Sequence, residues 1–412
     1  MPATPTLPPC TVDDWDDARR RQRLRATRTG QNWVRFGRLR RTLVRLALAL
    51  VPLVALYTQY WEWDVAPMRA QLAETRPVIH DVYDSATAAN RDVAVVDLVG
   101  LGNLDATPTA AALPALRDIG RVWAVEYDNS GLDTAVVSRL VAERAAFENV
   151  DAVVLVGHSM GGIIALEVAR HLYRDTPLEV LGVILDCTPV DLHAVRPDSR
   201  DAGEELLRWI GWLPGARESR ILRTVVEIAA RQDRFVVPSP RTYRRIDTDA
   251  FTDVVEEVLR DKILTTDAAS NGLIESQFRA IVASGAIDDL QTLAAEHDDK
   301  LRPAVVFIRP RNAFADPVVD VDYTQRVLID QSGGVGGTLL VAKLTGIGHA
   351  NPIQAPEAYN TAIDRRIVPF LDLRPGENTD DTGSDDTGSD DTGSDDTDEG
   401  GVGEPTPASG GG

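Results

Sequence analysis

The stretch Val153-Val154-Leu155-Val156-Gly157-His158-Ser159-Met160-Gly161-Gly162, continuing Ile163-Ile164-Ala165-Leu166, decides how this chain reads. The four apolar, mostly β-branched residues predict a buried strand, and the run after Gly162 has a helix composition. Between them stands a serine with glycines two positions before and after it. A strand that turns at once into a helix must bend sharply, and small residues at Gly157 and Gly161 let its two legs approach. The bend lifts the Ser159 hydroxyl clear of the sheet, and the helix N-terminus behind it favours developing negative charge. Ser159 is the predicted nucleophile.

A serine hydroxyl needs a base. Of the six histidines, His158 is adjacent to Ser159 in sequence and is expected to pack structurally. His171 falls in the following helix, and His297 at the end of a helical region. His349 differs, because it sits in Gly346-Ile347-Gly348-His349-Ala350-Asn351-Pro352, a loop between the last predicted strand and a helix. A glycine-flanked imidazole at a strand's carboxyl end can lean over the sheet toward the serine, so His349 is the predicted general base. The acid that orients it is expected at Asp316, in Phe314-Ala315-Asp316-Pro317-Val318-Val319, which gives the chain order Ser, Asp, His. Asp186, at the end of another strand, and nearby Asp320 are rivals. The oxyanion calls for two backbone N–H donors: Met160, just after the nucleophile, and Leu101, in the turn Gly100-Leu101-Gly102-Asn103.

Working outward, short apolar runs alternate with helical stretches from about residue 75 to 373. Strands are predicted at Val93–Val99, Val122–Tyr127, Ala152–Val156, Val180–Asp186, Ala304–Ile308 and Thr338–Leu344, with helices at Thr134–Glu148, Gly162–Tyr173, Asp322–Ile329 and Ala355–Phe370. Near-continuous apolar strands joined by helices imply an α/β fold, a mostly parallel central sheet flanked by helices. The core would comprise 75–189 and 302–373. The intervening 190–301 breaks the alternation with five helical stretches (Glu204–Trp212, Arg220–Gln232, Ala250–Leu264, Leu273–Ser284 and Ile287–His297) and is expected to form a helical lid. Within it Leu206, Leu207, Trp209, Ile210 and Trp212 are apolar enough to line an acyl pocket or touch lipid, although a place in the lid's own core is the commoner role for any one such residue.

The ends have another character. Residues 1–37 are rich in Pro, Thr, Asp and Arg without apolar periodicity and are expected to lack order. Residues 38–63 carry Arg38, Arg40 and Arg41, an 18-residue apolar run from Leu43 to Tyr60, then Trp61 and Trp63. At 1.5 Å per residue such a run spans roughly 27 Å, enough to cross a hydrocarbon core. Basic residues before it and aromatics after it predict a single-pass anchor with the N-terminus cytoplasmic and the bulk of the chain outside. A cleaved signal peptide, an interfacial helix and a buried helix are the competing readings, and would leave the chain secreted or cytoplasmic. The tail 376–412 repeats Asp-Asp-Thr-Gly-Ser, carries twelve acids and no Lys or Arg, and is expected to stay disordered. A net charge of −20, with a basic surplus of eleven Arg against four Asp confined to residues 1–45, disfavours nucleic acid as a partner of the folded part. Cys10 and Cys187 lack metal-ligand spacing and signal no disulfide framework.

The Gly157–Gly162 turn, the Asp316-Pro317-Val318-Val319 segment and the Gly348-His349-Ala350-Asn351-Pro352 loop resemble the α/β-hydrolase superfamily, in its esterase/lipase-like branch, over about residues 93–370. The resemblance implies an acyl-enzyme mechanism without metal or organic cofactor, acting on a small-molecule or lipid ester. Where that family usually carries His-Gly at the oxyanion turn, this chain has Val99-Gly100; the main-chain donor is retained while the support of the loop differs. An acyltransferase acting on an envelope lipid and a non-catalytic, membrane-tethered interaction protein are the alternatives on this fold. Product analysis with and without an alcohol acceptor separates the first, and the intact Ser, His and Asp set argues against the second.

Overall fold

A computed structural model describes residues 17–35, 37–237, 245–265, 268–295, 300–332 and 338–373. Its centre is a seven-stranded sheet: β1 (Val78–Tyr83), β2 (Val93–Leu98), β3 (Arg121–Glu126), β4 (Ala152–His158), β5 (Glu179–Asp186), β6 (Ala304–Pro310) and β7 (Leu339–Leu344), in the order β1-β3-β2-β4-β5-β6-β7. All neighbours pair in parallel except β1, which runs antiparallel along β3. Every residue of β4 and β6 is buried, as expected of parallel strands covered on both faces.

The six predicted strands are present with ends within two residues. The edge strand β1 went unpredicted because Val-Ile-His-Asp-Val-Tyr interrupts its apolar residues with His80 and Asp81. Both polar side chains find partners at the half-exposed edge: His80 Nε2 lies 2.8 Å from Glu126 Oε2, and Arg144 reaches Asp81 at 2.6 Å.

Sequence-local signals set the crossovers. Helix α1 (Arg38–Tyr60) precedes the sheet and continues through a π-helical turn, Trp61–Val65, into α2 (Ala66–Glu74). Helix α3 (Thr134–Glu148) starts where the Asp133 carboxylate accepts the N–H groups of Ala135 and Val136, and it ends at Asn149, which takes the left-handed conformation at φ 55°. That stop delivers the chain to the start of β4. Helix α4 (Met160–Asp175) leaves the end of β4 and buries its Ile163, Ile164, Leu166 and Val168 face against the sheet. Because β3 and β4 flank β2 on opposite sides, the strand order reverses at β2. The carboxyl ends of β2 and β4 therefore open side by side, where open α/β sheets bind their ligands.

Between β5 and β6 lies a helical insertion: α5 (Pro197–Trp212), α6 (Arg220–Ala230), α7 (Thr248–Val258), α8 (Asn271–Val282) and α9 (Ala286–Ala294). It divides in two. Leu273, Ile274, Phe278 and Ile281 of α8, with Leu290 and Leu293 of α9, join the main hydrophobic core. By contrast Phe235, Val254, Val258 and Ile263 form a small core of their own around α6 and α7. A short ribbon, Val236–Val237 with Arg245–Ile246, closes that distal part. After β6 come α10 (Val321–Ser332) and, after β7, α11 (Pro356–Ala362).

Ahead of the sheet, residues expected to lack order carry two helices, Asp17–Ala26 and Arg28–Arg35. Arg, Ala and Gln favour helix intrinsically, without any apolar periodicity. Helix α1 follows, and the continuous helical run Arg40–Glu74 is long and apolar enough to cross a membrane by length and composition, with a mean hydropathy of 1.6 over its best window and none of that window buried. Cys10, His297 and the acidic tail lie outside the described residues.

Candidate active site

Ser159 caps α4 in a conformation that L-residues seldom adopt, φ 55° and ψ −122°. Such geometry costs on the order of 1–3 kcal/mol and persists only where the surroundings over-determine it. Here they do. The Ser159 N–H donates to the Asp186 carbonyl at 2.8 Å, and Gly162 N–H to the Ser159 carbonyl at 3.0 Å. The two predicted glycines are sterically required: a Cβ on Gly161 would stand 2.3 Å from the Leu98 carbonyl oxygen, and one on Gly157 2.4 Å from that of Gly161.

The bend carries the Ser159 hydroxyl to within 2.8 Å of His349 Nε2, across 190 residues of sequence. On the other face of the imidazole, Nδ1 lies 2.9 Å from Asp316 Oδ2. Asp316 is fully buried, and its second oxygen accepts the N–H groups of Val318 and Val319 at 2.9 and 2.8 Å. Burial alone would raise its pKa. The bond to His349 and the two backbone donors outweigh that and hold the carboxyl below its ordinary value, so it stays ionised. An ionised Asp316 draws the proton to Nδ1, which leaves Nε2 free to accept from the serine.

The rivals for the acid sit elsewhere. Asp186 turns to His158, with Oδ2 2.8 Å from Nδ1, while Asp97 Oδ1 stands 3.0 Å from its Nε2. All three are buried beneath the serine turn. Burial would strip His158 of its proton, but the two carboxylates prevail and push its pKa up to about 10, so this imidazole is a cation at neutral pH. Asp320 serves the backbone, accepting from Asp322 and Tyr323 at the start of α10.

Several residues that hold the site were not singled out from sequence. Tyr359 donates to Asp186 Oδ1 at 3.1 Å and accepts the Asn351 N–H at 3.2 Å. Asn351 Oδ1 in turn accepts the Gly348 N–H at 3.0 Å, fixing the loop that presents His349. Asp97 and Tyr359 look like ordinary core positions in sequence. Only Asn351, two residues beyond the histidine, carried a local signal.

Met160 follows Ser159 at the start of α4, and Leu101 lines the cavity onto which Ser159 faces. Gly100 packs against the serine turn, and Asn103 N–H donates back to the Gly100 carbonyl at 3.3 Å, closing a turn around Leu101. The Gly102 N–H is engaged by Gln277 Oε1 at 2.9 Å.

Ser159 and His349 open into a cavity of about 560 Å³, a volume suited to a small organic ligand. Its apolar walls include Phe278 and Ile281 of α8 and Val318 and Val319 beside Asp316. The described apolar residues of α5 lie away from the cavity wall. Ile210 is buried away from the cavity and Trp212 is exposed to solvent, while Leu207 packs on the main core. The side chains of Leu206 and Trp209 lie outside those described. The apolar wall comes from α8, while α5 lends the cavity Ser199 near its start.

A model of the alpha/beta hydrolase family matches residues 58–362. The chain belongs to that family. Among solved structures this alpha/beta hydrolase is similar to an esterase from Thermogutta terrifontis, at 16% identity over 72% of this chain and 94% of that one, with a TM-score of 0.46. An esterase from Exiguobacterium antarcticum is 16% identical over 72% and 96% of the two chains (TM-score 0.44). A bacterial membrane phospholipase A is 18% identical over 81% and 99% (TM-score 0.44). No curated protein matches.

Proposed function

We propose that this chain is a serine hydrolase that cleaves a carboxylic ester of an apolar acyl group. The observation that carries the reading is His349, bonded at once to Ser159 Oγ and Asp316 Oδ2. In the proposed reaction Ser159 Oγ attacks the ester carbonyl as His349 Nε2 takes its proton. The oxyanion accepts the Leu101 and Met160 N–H groups. His349 then protonates the departing alkoxide, leaving Ser159 acylated. Water, deprotonated by His349, attacks the acyl carbon, and the acid departs as Ser159 regains its proton. Asp316 stays ionised throughout, orienting the imidazole and balancing its transient charge. Phe278, Ile281 and Val319 favour an apolar acyl chain, and the insertion serves as the lid that shapes its pocket.

Helix α1 is proposed as a single-pass anchor, with Arg38 to Arg45 on the cytoplasmic side and the hydrolase domain outside. Its far end engages the insertion. Asp64, in the turn after α1, accepts from Ser219 Oγ (2.6 Å), Arg220 N–H (3.0 Å) and Ile221 N–H (3.3 Å), capping α6. Arg69 pairs with Glu218 at 2.9 Å. An anchor that caps an insertion helix would hold the distal lid beside the bilayer, which suits a lipid ester as substrate.

A fluorophosphonate probe tests the chemistry. Wild-type protein should be labelled at Ser159, and Ser159→Ala should not be. Equal labelling of both overturns the assignment. Protease treatment of intact cells tests the topology: digestion of the hydrolase domain supports it, and protection in both cells and spheroplasts refutes it.

A further inference from the structure

The oxyanion turn lacks the family's usual His-Gly pair, and a residue from the insertion stands in its support. Gln277, on α8, has no exposed surface. Its Oε1 accepts the Gly102 N–H and its Nε2 donates to the Asn103 carbonyl, both at 2.9 Å. One carboxamide thus holds consecutive residues of the turn, 174 and 175 positions away in sequence. The same stretch of insertion secures the turn again through a β-bridge between Asn103 and Ala268.

The turn needs such support. Gly102 sits at φ 82°, and glycine moves between backbone basins at little cost. Rotation there would turn the Leu101–Gly102 peptide and, through it, shift Leu101 and the N–H that the proposed reaction uses. Removing the Gln277 side chain would also leave the Asn103 carbonyl and the Gly102 N–H seeking partners, and the turn would rearrange to find them.

We propose that Gln277 is a positioning residue for the oxyanion turn, its carboxamide reaching down from the insertion to keep the Leu101 N–H aimed at the developing oxyanion. The inference rests on the hydrolase reading above and adds a dependence: the insertion, through Gln277, completes the hole. Phe278 and Ile281 flank Gln277 on the same helix and line the cavity, so an acyl chain packing against them presses on the element that holds the turn.

The probe of choice is again the fluorophosphonate, whose phosphoryl oxygen occupies the oxyanion position and whose use presupposes no natural substrate. Its labelling kinetics separate the limiting rate from the half-saturating concentration. In full-length protein, Gln277→Leu, which loses both bonds at similar volume, should lower the limiting rate about 10- to 100-fold, less than the roughly 10²–10³-fold cost of losing an oxyanion donor outright, because the donor is displaced and not removed. The half-saturating concentration should change less than about threefold, because the cavity walls are untouched. Gln277→Glu supplies a readout that a purely structural role would not move. Its buried carboxyl can donate to the Asn103 carbonyl only when protonated, so the ratio of its rate to that of wild type should rise as pH falls.

A folded Gln277→Leu protein labelled within threefold of the wild-type rate overturns the proposal. Should that variant not fold, a Gln277→Glu ratio flat with pH overturns it. Labelling of Ser159→Ala would instead strike at the hydrolase reading itself, so the two failures are distinct.

Discussion

Asp186 Oδ2 lies 2.8 Å from His158 Nδ1, and the main chain of the same residue accepts the Ser159 N–H at 2.8 Å. The aspartate that sequence offers as a rival partner for His349 therefore holds the Ser159 main chain, while Asp316 faces His349. The two acids should part company on substitution. Asp316→Asn should leave the fold intact and lower the labelling rate by roughly 10³–10⁴-fold, because an amide no longer fixes the His349 tautomer. Asp186→Asn should act mainly on stability, with a loss of roughly 3–5 kcal/mol from a broken buried pair. Thermal melts run beside labelling kinetics will tell them apart; the reverse pattern refutes the assignment.

Stability should fall with rising pH above neutrality. His158 is raised to about 10 in the folded protein against 6.5 for the free side chain. Between those values the folded state binds the extra proton, so unfolding releases it and alkali favours the unfolded chain. The contribution is complete below about pH 6.5 and is lost as pH rises through about 10. Melting temperatures of wild type and His158→Gln, measured from pH 6 to 10, should converge toward the upper end.

Asp316 predicts a second dependence at the acid end. Its pKa is lowered by the bond to His349 and the Val318 and Val319 N–H groups, against the opposing effect of burial. Its stabilising contribution is present above the ordinary carboxylate range and is lost as pH falls through the depressed value. Asp316→Asn should therefore flatten the acid limb of the wild-type stability profile. An unchanged acid limb counts against the arrangement.

The strained backbone at the nucleophile should be measurable. Ser159→Ala keeps a side chain at φ 55° and ψ −122°, whereas Ser159→Gly relieves it. Both variants lack the hydroxyl, so neither should be labelled. The glycine variant should be the more stable by about 1 kcal/mol, the relief of strain less the entropy of glycine. Equal melting temperatures would show that the turn stores no strain.

Asp64→Ala tests the link from the anchor end to the insertion. Loss of three bonds at the α6 N-terminus should cost about 1–2 kcal/mol locally. Trypsin should then cut faster at Arg217 or Arg220, while fluorophosphonate labelling of Ser159 stays near wild type. No change in cleavage would remove Asp64 from this role.

The parts legible in sequence were those with local rules. Gly157 and Gly161 mark a turn that admits no Cβ, apolar runs mark the parallel strands, and the glycine-flanked His349 marks a loop at a strand end. Asp316 could be placed by chain order, but choosing it over Asp186 required knowing which strand end each faces. The edge strand β1 escaped because a half-exposed edge tolerates His80 and Asp81. Apolarity made α5 one candidate for the pocket wall, yet α8 supplies Phe278 and Ile281, because docking direction is a tertiary property. Gln277 had no sequence signal at all. A buried carboxamide that serves a loop 174 residues away is invisible until the helix is docked.

The division of the site across the chain bears on biogenesis. Ser159 precedes the helical insertion, and Asp316 and His349 follow it, the last of them beyond the closing strand of the sheet. A nascent polypeptide halted anywhere before that strand holds its hydroxyl with nothing to deprotonate it. Long-range parallel pairing is also the slow part of such folding. Under the proposed mechanism, activity is thus withheld until His349 has been made and the strand before it has joined the sheet, and fragments released before that point or trimmed past His349 would be inert.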